Sequence, residues 1–261
     1  MYCKNDYSNA KVYLDLKEVS KNFLCTNSNR MNVVLENVNV QILDGEFVTI
    51  LGKSGCGKTT LLNIIAGFEN SFGGEILLDG QPIRNISPDR VMLFQESTLF
   101  PWLTTFQNID VALKMAKIPK DQREQIIKHY LKIVDLTDYS DSYIHQLSGG
   151  MKQRVSLARA LALNPKILLM DEPFAALDIS IKNSLYKELL ELHRKTRKTI
   201  LFVTHNINEA VLLGDRVILM SPKLCSIKKE YIIDIPKDER INNPNIKNLI
   251  DQITLDLYED E

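Results

Sequence analysis

Short runs of apolar, often β-branched residues recur along the chain of 261 residues: Val12 to Leu16, Phe47 to Leu51, Val91 to Phe94, Ile167 to Met170, Ile200 to Val203 and Arg216 to Met220. Several are apolar throughout rather than alternating, the pattern of strands covered on both faces in a parallel sheet. Between them the period lengthens. From Asp121 to Val134, the residues Ile126, Ile127, Tyr130, Leu131 and Val134 fall on one stripe of a helix, and Asp121 with Glu124 has the form of a capping box. Residues 96 to about 165 show only helical periodicity and turns, whereas strand runs dominate on either side. The pattern predicts an α/β core with a mixed or parallel sheet, interrupted by a helical insertion, in three segments, 1–95, 96–165 and 166–261. Asp79-Gly80-Gln81-Pro82 reads as a hairpin turn closing Glu75 to Leu78, so an antiparallel β element joins the core. The acidic final stretch, Asp251 to Glu261, reads as a solvated helix end or frayed tail.

A chain of this length buries roughly three quarters of its unfolded surface and needs no staples. Its 44% hydrophobic and 25% charged residues are ordinary for a globular protein. With 32 Lys and Arg against 33 Asp and Glu, the net charge of -1 argues against a nucleic-acid partner that relies on an overall basic surface. Cys3, Cys25, Cys56 and Cys225 are scattered, in no C-x-x-C pair and with no histidine at metal-ligand spacing, as expected of reduced thiols in a cytosolic protein. The opening MYCKNDYSNAK lacks the apolar core of a secretory signal, and no apolar run approaches the roughly 20 residues a membrane-spanning helix needs.

Chemistry enters at Gly52-Lys53-Ser54-Gly55-Cys56-Gly57-Lys58-Thr59-Thr60, which lies directly behind one apolar run and directly ahead of a helical one. Strand, glycine-rich loop and helix in that order form the phosphate-binding pattern G-x-x-x-x-G-K-[ST]. Glycines let successive N–H groups turn inward around an anion, and the helix that follows points its positive end at the same place. Lys58 supplies a point charge to the β- and γ-phosphates, and the Thr59 hydroxyl can ligate Mg²⁺. The loop therefore predicts a bound nucleoside triphosphate, which leaves small-molecule kinases, GTPases and motor ATPases open. Cys56 lies inside it, so a thiol reagent is expected to inhibit and bound nucleotide to protect.

A second site narrows the choice. Ile167 to Glu172 is an apolar strand ending in two carboxylates, where open α/β sheets place ligands. Asp171 is expected to hold Mg²⁺ through water, and Glu172 to orient or deprotonate the attacking water.

Leu147-Ser148-Gly149-Gly150-Met151-Lys152-Gln153-Arg154 opens a helical stretch, Val155 to Leu163, that Pro165 ends. With LSGG followed by QR the sequence resembles the ATP-binding-cassette ATPases, over roughly Val12 to Tyr231. The resemblance implies a head-to-tail dimer in which Ser148, Gly149 and Gly150 of one copy cover the ATP held by the other copy's loop. It also implies roles for Gln95 (reaching Mg²⁺ and water, and sensing a membrane partner), for Asp178 in Ala176-Leu177-Asp178 (crossing the dimer interface), for His205 (a switch on the γ-phosphate) and for Phe23 (stacking on adenine).

Phe94-Gln95-Glu96 with Leu99 to Thr104, Met170 to Asp178, and Phe202 to Ala210 look like the nitrate/sulfonate/taurine import branch, the "PWLT" of residues 101–104 most of all. That branch implies a bacterial importer with a separate permease and solute-binding protein, the ATPase lying on the cytoplasmic face of the membrane. A regulatory domain of the sugar-importer type does not fit the thirty residues after Tyr231. Another importer type, or a soluble cassette ATPase of cluster assembly, shares the nucleotide motifs; the "PWLT" segment speaks for the importer.

Overall fold

The computed structural model describes residues 11–24, 31–175, 179–241 and 243–259, the side chains of residues 180 and 181 excepted. In chain order the strands and helices are β1 (Val12–Leu24), β2 (Met31–Leu43), β3 (Phe47–Leu51), α1 (Lys58–Ala66), β4 (Gly73–Leu78), β5 (Gln81–Pro82), β6 (Arg90–Leu93), α2 (Thr105–Met115), α3 (Lys120–Ile133), α4 (Gly149–Ala162), β7 (Ile167–Asp171), α5 (Ile179–Thr196), β8 (Thr199–Thr204), α6 (Ile207–Leu213), β9 (Arg216–Ser221), β10 (Ser226–Ile232) and α7 (Pro244–Tyr258). They form two compact units, one of Met1–Ile86 with Arg197–Glu261, the other of Ser87–Thr196.

In the first unit β3 lies between β8 and β9, parallel to both, and β10 closes the edge antiparallel to β9. Every residue of β3 and β8 is buried, which is why their sequences, Thr49, Thr199 and Thr204 apart, are apolar without alternation. Leu16, Val40 and Ile42 of the antiparallel sheet β2-β1-β4-β5 and Leu61 and Ile65 of α1 pack with Ile50, Leu201 and Ile218. A second apolar cluster joins Leu51, Val217 and Leu219 to Ala210 and Val211 of α6 and to Ile246, Ile253 and Leu257 of α7. The hairpin between β4 and β5 turns at Asp79 and Gly80, both at positive φ (52° and 74°), the geometry of a type I′ turn.

The acidic terminus is thus a packed helix, not a solvated end: Ile253 and Leu257 are buried, and Asp256 accepts hydrogen bonds from Lys229 and from the Tyr231 hydroxyl. Fully buried Arg240 fixes the approach to α7, donating to the carbonyls of Val211 (2.8 Å), Gly214 (2.6 Å) and Ile235 (2.8 Å). Two of these carbonyls lie at the C-terminal end of α6, where a helix favours a cation.

In the second unit β6 and β7 pair in parallel, Val91 opposite Leu168 and Leu93 opposite Met170. Leu113 of α2, Ile127 and Leu131 of α3, Val134, and Val155, Ala158 and Ala162 of α4 form its core. Ile126 and Tyr130 pack at the edge of that core, so the stripe read along α3 is its buried face. Its capping box is not present: the N-cap is Pro119, and no side chain caps the helix. A capping box of this unit is at α2, where Gln107 N donates to Thr104 Oγ1 (3.2 Å) and Thr104 N to Gln107 Oε1 (3.0 Å). The compact units divide after Ile86 and Thr196, rather than near residues 95 and 165. The pairing of β6 with β7 places both strands with the helical segment they flank.

Candidate nucleotide site

The phosphate loop belongs to the first unit and leaves β3 at Gly52. Gly57, at φ 94°, precedes the first turn of α1, and a Cβ there would lie 2.7 Å from both Leu35 Cδ2 and the Val34 carbonyl oxygen. No side chain fits that position, which lets the backbone of the loop turn inward. Gly57 caps α1 without a side-chain acceptor, and no acidic residue stands in the helix's first turn. The positive end of α1 is therefore left to an anion. Lys58 is buried, and its ammonium donates to the carbonyls of Gly52 (2.8 Å) and Lys53 (2.9 Å), folded back into the ring of the loop. Ser54, Gly55 and Thr59 are exposed and Thr60 is half-buried, while the Lys53 ammonium stands 4.5 Å from the Tyr258 ring centre.

Cys56 runs against its expected reactivity. It is 1% exposed, and a Cβ on Gly52 would come within 2.5 Å of its sulfur. Burial pushes its thiol up, outweighing the nearby Lys58 ammonium that would bring it down. A protonated, covered thiol is a poor nucleophile, so Cys56 acts here as a small packing residue rather than a reactive one.

Two more expected residues lie in this unit. Phe23 is 42% exposed near the end of β1, opposite Asn32 of β2, with the Lys21 ammonium 4.6 Å from its ring centre. His205 is exposed in the turn between β8 and α6. That turn is tied down on both sides. Thr204 Oγ1 donates to buried Glu209 (2.6 Å) and accepts from Asn206 N (3.0 Å), and Asn206 caps α6 by accepting from Glu209 N (3.2 Å). Sequence reasoning missed Glu209, although Asn206-x-x-Glu209 carries the signal of a helix start.

The second unit carries the other residues. Asp171 ends β7, and Glu172 follows at φ 44°, a left-handed backbone in a residue with a side chain. Such a conformation costs on the order of 1–3 kcal/mol and collects at functional positions. Both carboxylates are half-buried. Ser148 is the N-cap of α4, its hydroxyl accepting from Met151 N at 3.3 Å; Ser148 and Gly149 are exposed and Gly150 is buried. A helix of 14 residues thus presents its positive end to solvent, with no acidic residue in the first turn. Gln95 is exposed just past β6, its carbonyl accepting from Gln153 Nε2 at 3.2 Å. Trp102, 68% exposed, leans on Phe100 with ring centres 5.6 Å apart, and buried Asn108 bonds to the backbone of Phe100, Leu103 and Thr104. Asp178 lies outside the described residues, with Ala176 and Leu177.

Of the four cysteines, Cys56 and Cys225 are described and both are free; Cys3 and Cys25 lie outside the described residues. Among the described residues no helix is long and apolar enough to cross a membrane.

The family model for ABC transporters matches residues 35–175. The chain is 43% identical over 208 residues to a nitrate import ATP-binding protein of Synechococcus elongatus, covering 79% of this chain and 76% of the relative. It is 42% identical over 238 residues to an aliphatic sulfonates import ATP-binding protein of Bacillus cereus, covering 90% and 92%. The dimeric structure of a post-hydrolysis state of an ATP-binding cassette, bound to ADP and Pi, superposes with a TM-score of 0.72 at 33% identity, covering 84% of this chain and 98% of that one. With the family model matched over residues 35–175 and relatives 42–43% identical over most of their length, the chain belongs to the ABC transporter family as one of its ATP-binding cassettes.

Proposed function

We propose that this chain is the ATP-hydrolysing subunit of an importer of the nitrate/sulfonate type, working as a head-to-tail pair of copies on the cytoplasmic face of a membrane. The observation that carries the reading is the exposed N-terminus of α4. Ser148 and Gly149 offer an anion cradle with no acidic residue in its first turn, in a chain whose phosphate loop already forms one. A second copy bringing its own ATP uses both.

Closure of such a pair costs roughly 4–15 kcal/mol of lost freedom. A charge-assisted hydrogen bond returns about 1.5–3 kcal/mol, so several bonds from Ser148, Gly149 and Gly150 to each of two γ-phosphates offset the cost. ADP lacks the phosphate that receives them, and closure thereby reads nucleotide state. Asp178 is assigned to the interface between the copies.

Within each copy Lys58 and the amides from Lys53 to Thr60 hold the β- and γ-phosphates, and Phe23 offers its ring to the adenine. The Thr59 hydroxyl, the Gln95 amide and the Asp171 carboxylate are hard oxygen donors of the kind Mg²⁺ accepts beside phosphate and water. Bound with ATP, Mg²⁺ neutralises charge on the transferring phosphoryl group. Glu172 accepts a proton from the attacking water, its carboxylate set by the left-handed backbone, and His205 donates a hydrogen bond to the γ-phosphate from its tied-down turn.

Exposed Trp102, leaning on half-buried Phe100 in the Asn108-braced segment, is the seat for a permease helix, and the permease in turn meets a solute-binding protein. The relatives that import nitrate and aliphatic sulfonates are similar to this chain over most of their length, which supports inorganic or sulfonate anions as cargo. Affinity purification of the tagged chain from its native membranes tests the assignment. The reading expects a polytopic permease in the eluate, lost on Trp102→Glu; a chain that purifies alone from membrane and cytosol alike contradicts it.

A further inference from the structure

Residues 95–98 follow β6 without joining a helix or strand, and two side chains of α4 grip them. Gln153 Nε2 donates to the Gln95 carbonyl (3.2 Å), Arg159 Nη1 to the Thr98 carbonyl (2.8 Å) and Arg159 Nη2 to Thr98 Oγ1 (2.9 Å). Gln153 and Arg159 are six residues apart on the helix, a rise of about 9 Å. The three-residue step from Gln95 to Thr98 reaches at most about 10–11 Å when extended. The segment is thus held to α4 at two points about 9 Å apart along the helix axis. α4 is itself anchored, since Arg154 donates to Glu188 of α5. The N-cap of the same helix is Ser148.

We propose that Arg159, with Gln153, is a positioning residue for Gln95 that makes α4 a rod between Gln95 and Ser148. A displacement of Gln95 toward a γ-phosphate either carries α4 with it or breaks the grip. The hydrolytic role of Gln95 and the presentation of Ser148 are then one movement. This inference rests on the reading of Gln95 as a residue at the γ-phosphate.

The test uses the full chain with Mg-ATP and the variants Arg159→Met, Arg159→Lys, Gln95→Ala and the double variant Arg159→Met with Gln95→Ala, each first checked for unchanged melting. Arg159→Met should lower kcat roughly tenfold with KM for ATP within about twofold, because the phosphate loop is untouched. Arg159→Lys keeps a cation that reaches one of the two Thr98 acceptors and should recover part of the loss. The double variant should be no slower than Gln95→Ala alone, the mark of two residues acting through one step. Amide exchange across residues 95–98 should quicken in Arg159→Met without nucleotide. Should Arg159→Met not fold, Thr98→Val removes one acceptor from the opposite side and should show the same kcat loss in smaller measure. An unchanged kcat in Arg159→Met beside an impaired Gln95→Ala overturns the inference, as does a double variant whose losses multiply. If Gln95→Ala itself turns over normally, the role of Gln95 falls, and the inference with it.

Discussion

At the scale of single residues, the phosphate loop was legible because its chemistry is contiguous: the glycines, Lys58 and Thr59 are neighbours in sequence, and each residue type answers to one need of a bound phosphate. Replacing Lys58 with Ala removes a charge-assisted contact of about 1.5–3 kcal/mol, and ATP turnover, measured by phosphate release, should fall by roughly ten- to a hundredfold or more. Residual turnover near that of the native chain contradicts the role of Lys58. Cys56 was misread for the opposite reason. Its place in the loop suggested exposure, but Gly52 and the folded-back Lys58 cover it, and neither contact can be inferred from the spacing. The native chain should leave Cys56 unlabelled by a maleimide with or without ATP, read by mass spectrometry of the loop peptide. Rapid labelling suppressed by ATP restores the reactive reading. Glu209 and Arg159 escaped notice because their partners lie on other turns, and a long polar side chain looks the same in sequence whether it is solvated or bonded.

At the scale of elements, strands buried on both faces announced themselves, and half-exposed ones did not. β3 and β8 are buried end to end and apolar but for Thr49, Thr199 and Thr204, whereas β2 alternates buried Val38, Val40 and Ile42 with exposed Asn37, Asn39 and Gln41. Ser226–Ile232 of β10, rich in Lys and Glu, reads as polar chain although it is an edge strand. Ile246, Leu249, Ile250, Ile253 and Leu257 of α7 do recur at helical spacing, but the acidic residues between them masked the stripe. The docking of α7 has a pH signature. Hydrogen bonds from Lys229 and then Tyr231 hold the Asp256 carboxyl below its ordinary value of 3.8. The folded chain binds that proton more weakly than the unfolded one, so the stabilisation is present above about 3.8 and is lost as pH falls through the folded value. Asp256→Asn should lower melting at neutral pH and flatten its acid limb below pH 4, by calorimetry; an acid limb as steep as that of the native chain denies Asp256 this part.

At the scale of the whole molecule, the α/β class, the antiparallel β element and the helical insertion followed from periodicity, because each changes the spacing of apolar residues over tens of positions. The division into two units did not. Val91 to Phe94 and Ile167 to Met170 look in sequence like any other buried strand, and only their pairing with each other shows which unit holds them. The joint use of two copies is implied only by resemblance, since no periodicity encodes a partner. That joint use is the central claim, and the most direct measurement is ATP turnover per chain against chain concentration, with native Ser148 and with Ser148→Arg. The account predicts a per-chain rate that rises with concentration until the copies are paired and that collapses at every concentration in the variant. A rate per chain that is constant down to high dilution and the same with Ser148→Arg contradicts it.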